Sequence, residues 1–318
     1  MSSRKILITG GAGFIGAHAA RRFLADGWQV SILDDFNDFY DPAIKEDNVA
    51  QLCGAVEIFR GDIRDTGTVE RAMNTGWDTV LHLAARAGVR PSILDPGLYI
   101  ETNVTGTFNV LEAARRAGVR RFLFASSSSV YGAEAQAPFR ESAALVRTLS
   151  PYAATKIAGE QLCSNYAHLH GMRVVSLRFF TVYGPGQRTD LAIHKFTRSL
   201  FEGLPIDQYG EGQTRRDYTY VDDIVQGVHA AADYEGPAYE VFNLGGSQTV
   251  SLSELIKKLE VATGREAIVR LCPEQPGDMP ATWADITKAR DLLGYSPDTT
   301  IDDGLAKFVH WYQAAHTT

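Results

Sequence analysis

Short apolar runs alternate with amphipathic stretches along the first half of the chain. The run Lys5–Thr9 leads into a glycine cluster, a helical pattern spans Ala17–Asp26, and a second run, Gln29–Leu33, ends at Asp34-Asp35. Strand, glycine turn, helix and strand in this order open a doubly wound parallel sheet. The pattern predicts four further strands, at Val56–Phe59, Thr79–Leu83, Arg121–Ala125 and Val174–Leu177. It predicts the crossover helices that parallel strands require at Asp65–Thr75, Tyr99–Ala117 and Tyr152–His170.

After Phe180 the alternation gives way to segments rich in glycine, proline and charge. The pattern there predicts one more buried strand at Tyr239–Leu244 and helices at Ala192–Glu202, Leu252–Thr263 and Asp303–Ala314. We therefore expect an α/β fold, a doubly wound parallel sheet with a smaller, discontinuous second domain. The larger domain is expected to comprise residues 1–181 with a return segment of about 218–266, and the smaller one residues 182–217 and 267–318.

Composition limits the classes of function open to the chain. Its 318 residues are 45% hydrophobic and 22% charged, which is typical of an ordered globular protein. The net charge of −7, without a basic stripe, argues against nucleic acid as a partner. Three widely spaced cysteines, with no signal-peptide pattern and no apolar run of membrane-spanning length, favour a reduced cytoplasmic protein without a metal site or a membrane partner.

The glycine cluster has the spacing of a dinucleotide-binding turn. Gly10, Gly13 and Gly16 stand between a predicted strand and a predicted helix. In such a turn the first glycine permits the tight bend, the second lets the backbone approach a pyrophosphate, and the third lets helix and strand pack closely. Asp34, 18 residues after Gly16, is placed to accept hydrogen bonds from the adenosine ribose, and its charge would repel a 2′-phosphate. The sequence therefore predicts NAD rather than NADP as the cofactor.

Tyr152 and Lys156 are four residues apart on a predicted helix and therefore share one face. A tyrosine with its ordinary pKa of about 10 is a poor base at neutral pH. A neighbouring ammonium group and a positive nicotinamide ring would favour its phenolate and lower its pKa. The preceding strand ends in the stretch Ser126-Ser-Ser-Ser-Val-Tyr-Gly132, whose serines can hydrogen-bond a substrate oxygen and relay its proton. Together with the dinucleotide turn, the two motifs form a specific signature.

These motifs resemble those of the extended short-chain dehydrogenases. The resemblance implies a Rossmann NAD-binding domain, a separate substrate domain, Ser127 at the catalytic serine position and Asn103 at the family's structural asparagine. Dehydratases and decarboxylases of this family carry acidic residues directly after the catalytic Ser or Thr, where this chain has Ser128 and Ser129. Elimination would lack its general acid, and the resemblance therefore favours epimerisation.

Longer stretches resemble the UDP-glucuronate 4-epimerases in particular, and together they cover nearly the whole chain. They are residues 35–42, 178–192, 215–223 and 275–278. UDP-galactose epimerases usually have asparagine at the Thr181 position and arginine at the Gln275 position, so both residues favour the glucuronate group. Thr189 departs from that group, which commonly has proline there, and this leaves the local loop geometry open.

The resemblance implies which residues contact the cofactor and the substrate. The implied cofactor contacts are Gly10, Gly13, Phe14, Ile15, Gly16, Asp34, Asp35, Asn37, Asp62, Ile63, Leu83, Ala84, Ala85, Asn103, Ser126, Tyr152, Lys156 and Phe179. The implied substrate contacts are Ser127, Ser128, Tyr152, Thr181, Arg188, Ala192, Gln208, Tyr209, Arg216 and Asp278.

Three charged residues of this set have specific expected roles, and two nearby arginines have none. Arg216 is expected to pair with the substrate pyrophosphate and Arg188 with a C6 carboxylate, and a surface salt bridge is the alternative for each. Asp62 is expected to meet the adenine, with a capping role as the alternative. Arg86 and Arg90 follow the fourth strand near the expected meeting point of nicotinamide and substrate, and the sequence assigns them no separate roles.

The expected reaction is the interconversion of UDP-glucuronate and UDP-galacturonate. Tyr152, assisted by Ser127, would remove the C4 hydroxyl proton while C4 passes hydride to NAD⁺, and the 4-keto sugar would rotate before hydride returns. One alternative is a UDP-glucose or UDP-N-acetylhexosamine 4-epimerase. Another is a non-catalytic NAD-sensing regulator, although such regulators often lack Tyr-x-x-x-Lys. The resemblance also suggests a homodimer joined through the Tyr99–Ala117 and Tyr152–His170 helices.

Overall fold

The computed structural model of the protein describes residues 3–273 and 279–316. The strands are β1 (Lys5–Thr9), β2 (Gln29–Asp34), β3 (Glu57–Arg60), β4 (Thr79–His82), β5 (Arg121–Ser127), β6 (Arg173–Phe179), β7 (Thr181–Tyr183), β8 (Ile206–Tyr209), β9 (Arg215–Arg216), β10 (Tyr218–Tyr220), β11 (Tyr239–Leu244), β12 (Val250–Ser251) and β13 (Val269–Cys272). The α-helices are α1 (Phe14–Ala25), α2 (Pro42–Ala50), α3 (Thr66–Met73), α4 (Val89–Leu94), α5 (Pro96–Ile100), α6 (Thr107–Arg116), α7 (Pro151–His170), α8 (Ala192–Glu202), α9 (Val221–Ala231), α10 (Leu252–Thr263), α11 (Thr287–Leu293) and α12 (Ile301–His316). A π-helical turn, Glu101–Gly106, joins α5 to α6, and a 3-10 turn, Ser128–Tyr131, follows β5.

Seven parallel strands form the central sheet, in the order β11-β6-β5-β4-β1-β2-β3. Ile8 of β1 is in register with Ile32 of β2 on one side and with Leu81 of β4 on the other. The chain runs outward from β1 to β3 and then returns to begin β4 next to β1. Ligands of open parallel sheets bind beyond the carboxyl ends of the strands at such a reversal. The predicted doubly wound α/β fold is confirmed.

Both faces of the sheet are buried, which explains why its strands are nearly continuous apolar runs. Along β1, Ile6 and Ile8 belong to one core cluster and Leu7 to the other. The first cluster includes Phe23 of α1, and the second includes Leu111 of α6. Alternate side chains of a strand point to opposite faces, so one short run supplies both cores.

A smaller group of elements lies beside the sheet. β8 pairs with β13, β9 pairs with β12, and α10 packs against α8 and α12. Leu200, Leu259 and Phe308 are buried where these three helices meet the first core cluster. The sequence analysis placed both β11 and α10 in the return segment; β11 joins the central sheet, whereas α10 packs on the smaller group. The proposed division into two domains stays a prediction.

Several elements were not predicted from the sequence, among them the helices α2 and α9 and one irregular turn. α2 begins at Pro42, where the Asp41 side chain accepts a hydrogen bond from the Ala43 N–H at 2.9 Å. α9 follows β10 directly and buries an apolar stripe that includes Val221, Ile224 and Val228. The π-helical turn interrupts the predicted Tyr99–Ala117 helix. Within the described part of the chain, no helix combines the length and apolar character needed to cross a membrane.

Candidate active site

Two cavities adjoin at Leu191, which lines both of them. The inner cavity, of about 480 Å³, is lined by the glycine turn, by residues at the carboxyl ends of β2 to β6, and by the first turns of α7. The outer cavity, of about 930 Å³, is lined by α8, β8, the β9 region and the end of α12. The inner cavity therefore lies where the sheet topology predicts a ligand, and the outer one extends it toward the smaller group of elements.

The glycine turn fits a dinucleotide pyrophosphate. Gly10 has a φ of +71°, and a Cβ at this position would lie 2.7 Å from the Ala84 nitrogen. A Cβ at Gly16 would lie 2.3 Å from the Gly10 carbonyl oxygen. α1 begins at Phe14 without a side-chain cap, so its first N–H groups remain available to an anion in the inner cavity. The bend, the close approach and the open helix terminus are thus all present.

Asp34 is buried at the end of β2 and lines the inner cavity. Its carboxylate accepts hydrogen bonds from Ala12 N–H at 3.1 Å and Phe36 N–H at 2.9 Å, and Lys45 Nζ lies 3.7 Å away. Burial raises the pKa of Asp34, and the Lys45 charge opposes this shift. Lys45 was not predicted as a site residue, because it lies on α2, a helix that the sequence pattern did not indicate.

All but one of the implied cofactor contacts line the inner cavity. The exception is Asn103, which is buried behind the cavity wall. Its Oδ1 accepts a hydrogen bond from Arg86 N–H at 2.7 Å, and its Nδ2 donates to the Arg86 carbonyl and to Thr155 Oγ1, both at 3.0 Å. Asn103 therefore supports the loop after β4 and the α7 helix, and its expected contact with the cofactor stays a prediction.

The implied substrate contacts divide between the two cavities. Ser127, Ser128, Tyr152, Thr181 and Arg188 line the inner cavity, and Ala192, Tyr209 and Arg216 line the outer one. Gln208 lines neither cavity, because its Oε1 accepts a hydrogen bond from Ser253 Oγ at 3.4 Å. Asp278 and Gln275 lie outside the described residues. Asp62 lines the inner cavity and accepts a hydrogen bond from Arg64 N–H at 2.8 Å, and its expected contact with the adenine stays a prediction.

Tyr152, Ser127 and Lys156 meet in the inner cavity. Ser127 neighbours the Tyr152 hydroxyl and lowers its pKa, and Lys156 Nζ lies 5.9 Å from the centre of the Tyr152 ring. Contrary to the sequence-based expectation, the pKa of Tyr152 in the protein itself is raised, because burial outweighs the lowering effects of Ser127 and Arg188. The cation that opposes burial here is Arg188, which was expected from the sequence to bind a substrate carboxylate or to form a surface salt bridge.

A buried chain of hydrogen bonds connects the glycine turn to the helix that carries Tyr152. Thr9 Oγ1 lies 2.6 Å from His82 Nδ1, and His82 Nε2 lies 3.0 Å from Thr107 Oγ1. Thr107 donates to the Asn103 carbonyl, so it accepts from His82, which is therefore protonated on Nε2. Burial lowers the pKa of His82 to about 3, which keeps the ring neutral. The chain continues through Asn103 and Thr155.

Arg188 lies in the wall between the two cavities. Its Nε and Nη2 donate to the two carboxylate oxygens of Asp190, each at 2.9 Å, and its guanidinium lies 5.4 Å from the Phe39 ring. The salt bridge considered from sequence therefore exists, although the Arg188 side chain is only 17% exposed. The two arginines after β4 line different cavities. Arg86 lines the inner cavity, and Arg90 lines the outer cavity, where its guanidinium lies 5.5 Å from the centre of the Tyr209 ring.

Known proteins match the chain over most of its length. Residues 6–245 match the model of the NAD dependent epimerase/dehydratase family. A probable UDP-glucuronate 4-epimerase of Rhizobium meliloti is 37% identical in an alignment of length 339 that covers 99% of each chain. The fold is similar to that of the UDP-glucuronic acid 4-epimerase of Bacillus cereus, solved with UDP-glucuronic acid and NAD (TM-score 0.92, 36% identity, 98% of this chain and 100% of that one). It is also similar to the Thermus thermophilus UDP-glucose 4-epimerase complex with NAD (TM-score 0.90, 32% identity, 98% and 99% coverage).

The match agrees with the geometry of the inner cavity, where the glycine turn, Asp34 and the Tyr152–Lys156 pair stand together. The prediction of NAD as the cofactor is confirmed. The chain is a member of the NAD dependent epimerase/dehydratase family.

Proposed function

We propose that this protein is a UDP-glucuronate 4-epimerase, which interconverts UDP-glucuronate and UDP-galacturonate. The observation that carries the proposal is the presence of Arg188 in the same cavity as Ser127 and Tyr152. A guanidinium beside the reacting centre matches a sugar that carries a carboxylate at C6. Thr181 lines the same cavity and offers a hydroxyl donor to that carboxylate. Similar proteins named as UDP-glucuronate 4-epimerases support this assignment.

In this proposal Tyr152 is the base that removes the proton from the C4 hydroxyl. Ser127, which neighbours Tyr152, holds the C4 oxygen and helps to pass the proton. NAD⁺, when bound, supplies the hydride acceptor and donor. The same two residues return the proton after the 4-keto sugar has presented its other face. Because no net oxidation occurs, each catalytic cycle regenerates NAD⁺, and the cofactor can stay bound between turnovers.

The residues after Ser127 favour epimerisation over elimination. Ser128 and Ser129 line the inner cavity at the positions where acids would be required to expel a hydroxyl group. A serine hydroxyl is a far weaker acid than a carboxylic acid, so it protonates a leaving group poorly. Their position in the cavity supports a reaction that stops at the ketone and returns.

The outer cavity suits the UDP portion of the substrate. Arg216 lines it, and Arg216 Nη1 donates to the carbonyl oxygens of Met279 at 2.7 Å and Arg215 at 2.9 Å. These bonds fix the side chain and leave other N–H groups of the guanidinium for a pyrophosphate. Lys195 and Arg198 add positive charge to the same cavity. The lining also contains Arg90 and the acidic residues Asp190, Glu202 and Asp207, so the cations leave it a small positive excess where an anionic nucleotide is proposed to bind.

The deciding experiment is incubation of the purified protein with UDP-glucuronate, UDP-glucose and UDP-N-acetylglucosamine in parallel. Proton NMR of the products would identify each C4 epimer. We expect UDP-galacturonate from the first substrate and much slower conversion of the other two. Conversion of UDP-glucose alone would favour the alternative 4-epimerase, and conversion of none, with NAD bound, would favour a non-catalytic NAD-binding protein.

We further propose that the protein is a homodimer formed through the α5–α6 and α7 helices. Ile100, Phe108 and Leu169 on these helices are 54%, 45% and 68% exposed, respectively. Apolar side chains at such exposure on neighbouring helices favour association. Light scattering coupled to size exclusion would test this, with Phe108→Glu expected to yield monomers. The expected cytoplasmic location stays a prediction.

A further inference from the structure

Asp190 holds one edge of the Arg188 guanidinium. The two donor–acceptor distances, from Nε to Oδ1 and from Nη2 to Oδ2, are both 2.9 Å. Among residues 3–273 and 279–316, Asp190 is the only side chain to which this guanidinium is hydrogen-bonded. Burial tends to raise the pKa of Asp190, but the hydrogen bonds and charge of Arg188 outweigh it and hold that pKa below its usual range. The carboxylate is therefore ionised at neutral pH.

Arg188 and Asp190 lie in the wall between the two cavities, and each residue lines a different cavity. Arg188 lines the inner cavity with Tyr152, whereas Asp190 lines the outer cavity. A planar guanidinium carries five N–H groups, and Asp190 engages one on Nε and one on Nη2. The opposite edge, formed by Nη1 and the second N–H of Nη2, is left for a ligand in the inner cavity. That edge has the geometry of a second bidentate carboxylate site.

We propose that Asp190 is a positioning residue that fixes the Arg188 guanidinium and thereby sets the preference for a uronate over a neutral sugar. This inference rests on the proposed function. An arginine that is already held loses less side-chain freedom when it binds the substrate carboxylate. A neutral C6 hydroxymethyl group cannot accept both N–H groups of that edge, so it gains little from the fixed geometry. Asp190 therefore acts on the affinity for one substrate class.

The opposite role for Asp190 makes a different prediction. If its charge mainly competed with the substrate carboxylate for Arg188, its removal would tighten binding of UDP-glucuronate. Two observations favour positioning over competition. Asp190 lines the outer cavity, whereas Tyr152 lines the inner one. It uses only one edge of the guanidinium and leaves the other edge intact.

The test uses the NAD-loaded protein in a Tyr152→Phe background, so that binding is measured without turnover. Dissociation constants for UDP-glucuronate and UDP-glucose would be measured by calorimetry. The proteins compared are the Tyr152→Phe parent and the same protein with Asp190→Ala or Asp190→Asn added. We expect Asp190→Ala to weaken UDP-glucuronate binding at least about tenfold and UDP-glucose binding less than about threefold. Asp190→Asn, which keeps one acceptor, should be intermediate. Asp302→Ala, which removes the exposed ion pair with Lys258, is the control and should change neither constant.

Each other outcome has a distinct meaning. Unchanged or tighter binding of UDP-glucuronate by Asp190→Ala would overturn the positioning role while leaving the proposed function intact. Equal losses for both sugars would assign Asp190 to the general integrity of the site and would also overturn its role in specificity. If the protein with Tyr152 intact failed to epimerise UDP-glucuronate, both the proposed function and this inference would fall.

Discussion

Lys156 donates a hydrogen bond from its ammonium group to the carbonyl oxygen of Ala125, at a distance of 2.8 Å. The side chain is buried, and burial lowers the pKa of Lys156 to about 8. Lys156 therefore serves the active site as a fixed buried charge tied to the end of β5, one residue before the serine stretch. Its charge comes at a cost to the free energy of folding that depends on pH.

The sign of this dependence follows from proton binding. An unfolded lysine has a pKa of about 10.4, so between pH 8 and pH 10 the unfolded chain binds more protons at this site than the folded protein. Stability from this group therefore rises with pH across that window, by about 3 kcal/mol in total. Lys156→Met should remove the rise. Urea unfolding at pH 7.5 and pH 10 measures it, and Lys258→Met, at a partly exposed ion pair, should preserve the wild-type slope.

Tyr152→Phe should lower turnover by a factor on the order of 10³ while NAD stays bound. The hydroxyl group beside Ser127 is lost, whereas the ring, which packs edge-on against Tyr99 at 6.2 Å, is kept. Turnover would be measured by NMR and bound NAD by its absorbance after denaturation. The matched control is Tyr99→Phe, which removes a hydroxyl that donates to the Ala87 carbonyl and should retain most of the turnover. Near-normal activity of Tyr152→Phe would refute the assignment of the base.

Asp34 should make the protein prefer NAD to NADP by at least about tenfold in dissociation constant, because its buried carboxylate would face a 2′-phosphate. Lys45, 3.7 Å from Asp34, moderates that repulsion without removing it. Asp34→Ser should bring the two dissociation constants closer together, mainly by weakening NAD. Titration of the cofactor-free protein with each dinucleotide measures the ratio. Equal affinities in the wild type would contradict the role given to Asp34.

Arg216→Ala should weaken binding of all UDP-sugars by a similar factor, roughly 10- to 100-fold, because it is proposed to contact the pyrophosphate that they share. The neighbouring Arg215 provides the control, since its guanidinium bonds Thr249 and Glu254 and does not line the outer cavity. Arg215→Ala should therefore have a smaller effect on affinity. A loss confined to UDP-glucuronate would place Arg216 at the sugar instead.

Residues fixed by the strand order were predictable, because parallel strands carry their carboxyl ends to one edge. Gly10, Asp34, Ser127 and Phe179 each follow or end a strand that the apolar pattern reveals, and the structure brings all four to the inner cavity. Sequence order and sheet topology were sufficient for this part of the site. The same reasoning placed Tyr152, since the crossover helix after β5 must begin at that edge.

Residues whose position depends on packing between segments were not predictable. Lys45 reaches Asp34 only because α2 folds back over the glycine turn, where Asn48 also donates to the Ala12 carbonyl at 3.0 Å. His82 ends an apolar strand like any other, and only its partners on α6 reveal a connecting role. Gln208 lies beside Tyr209 on a strand, but its side chain accepts a hydrogen bond from Ser253, which the sequence did not indicate, and its expected contact with the substrate stays a prediction.

The proposed substrate becomes prone to decarboxylation once its C4 is oxidised. Oxidation of C4 in glucuronate produces a ketone β to the C6 carboxylate, and such acids readily lose carbon dioxide. The negative charge of the carboxylate disappears as that bond breaks, so a fixed cation stabilises the ground state relative to the transition state for decarboxylation. Arg188, 17% exposed and held by Asp190, is such a cation in the cavity of Tyr152. Arg188→Ala should therefore slow epimerisation and raise the fraction of UDP-pentose or 4-keto product.

Mass spectrometry of the nucleotide products after several turnovers would measure that fraction. Arg86→Ala is the matched control, because Arg86 also lines the inner cavity and also lies over the Phe39 ring, at 6.0 Å, but its Nη1 donates to Asn37 Oδ1 at 3.3 Å. A general loss of positive charge would raise pentose in both variants, whereas a specific carboxylate contact would raise it only in Arg188→Ala. Unchanged glucuronate turnover without added pentose in Arg188→Ala would remove the main reason for choosing glucuronate over glucose.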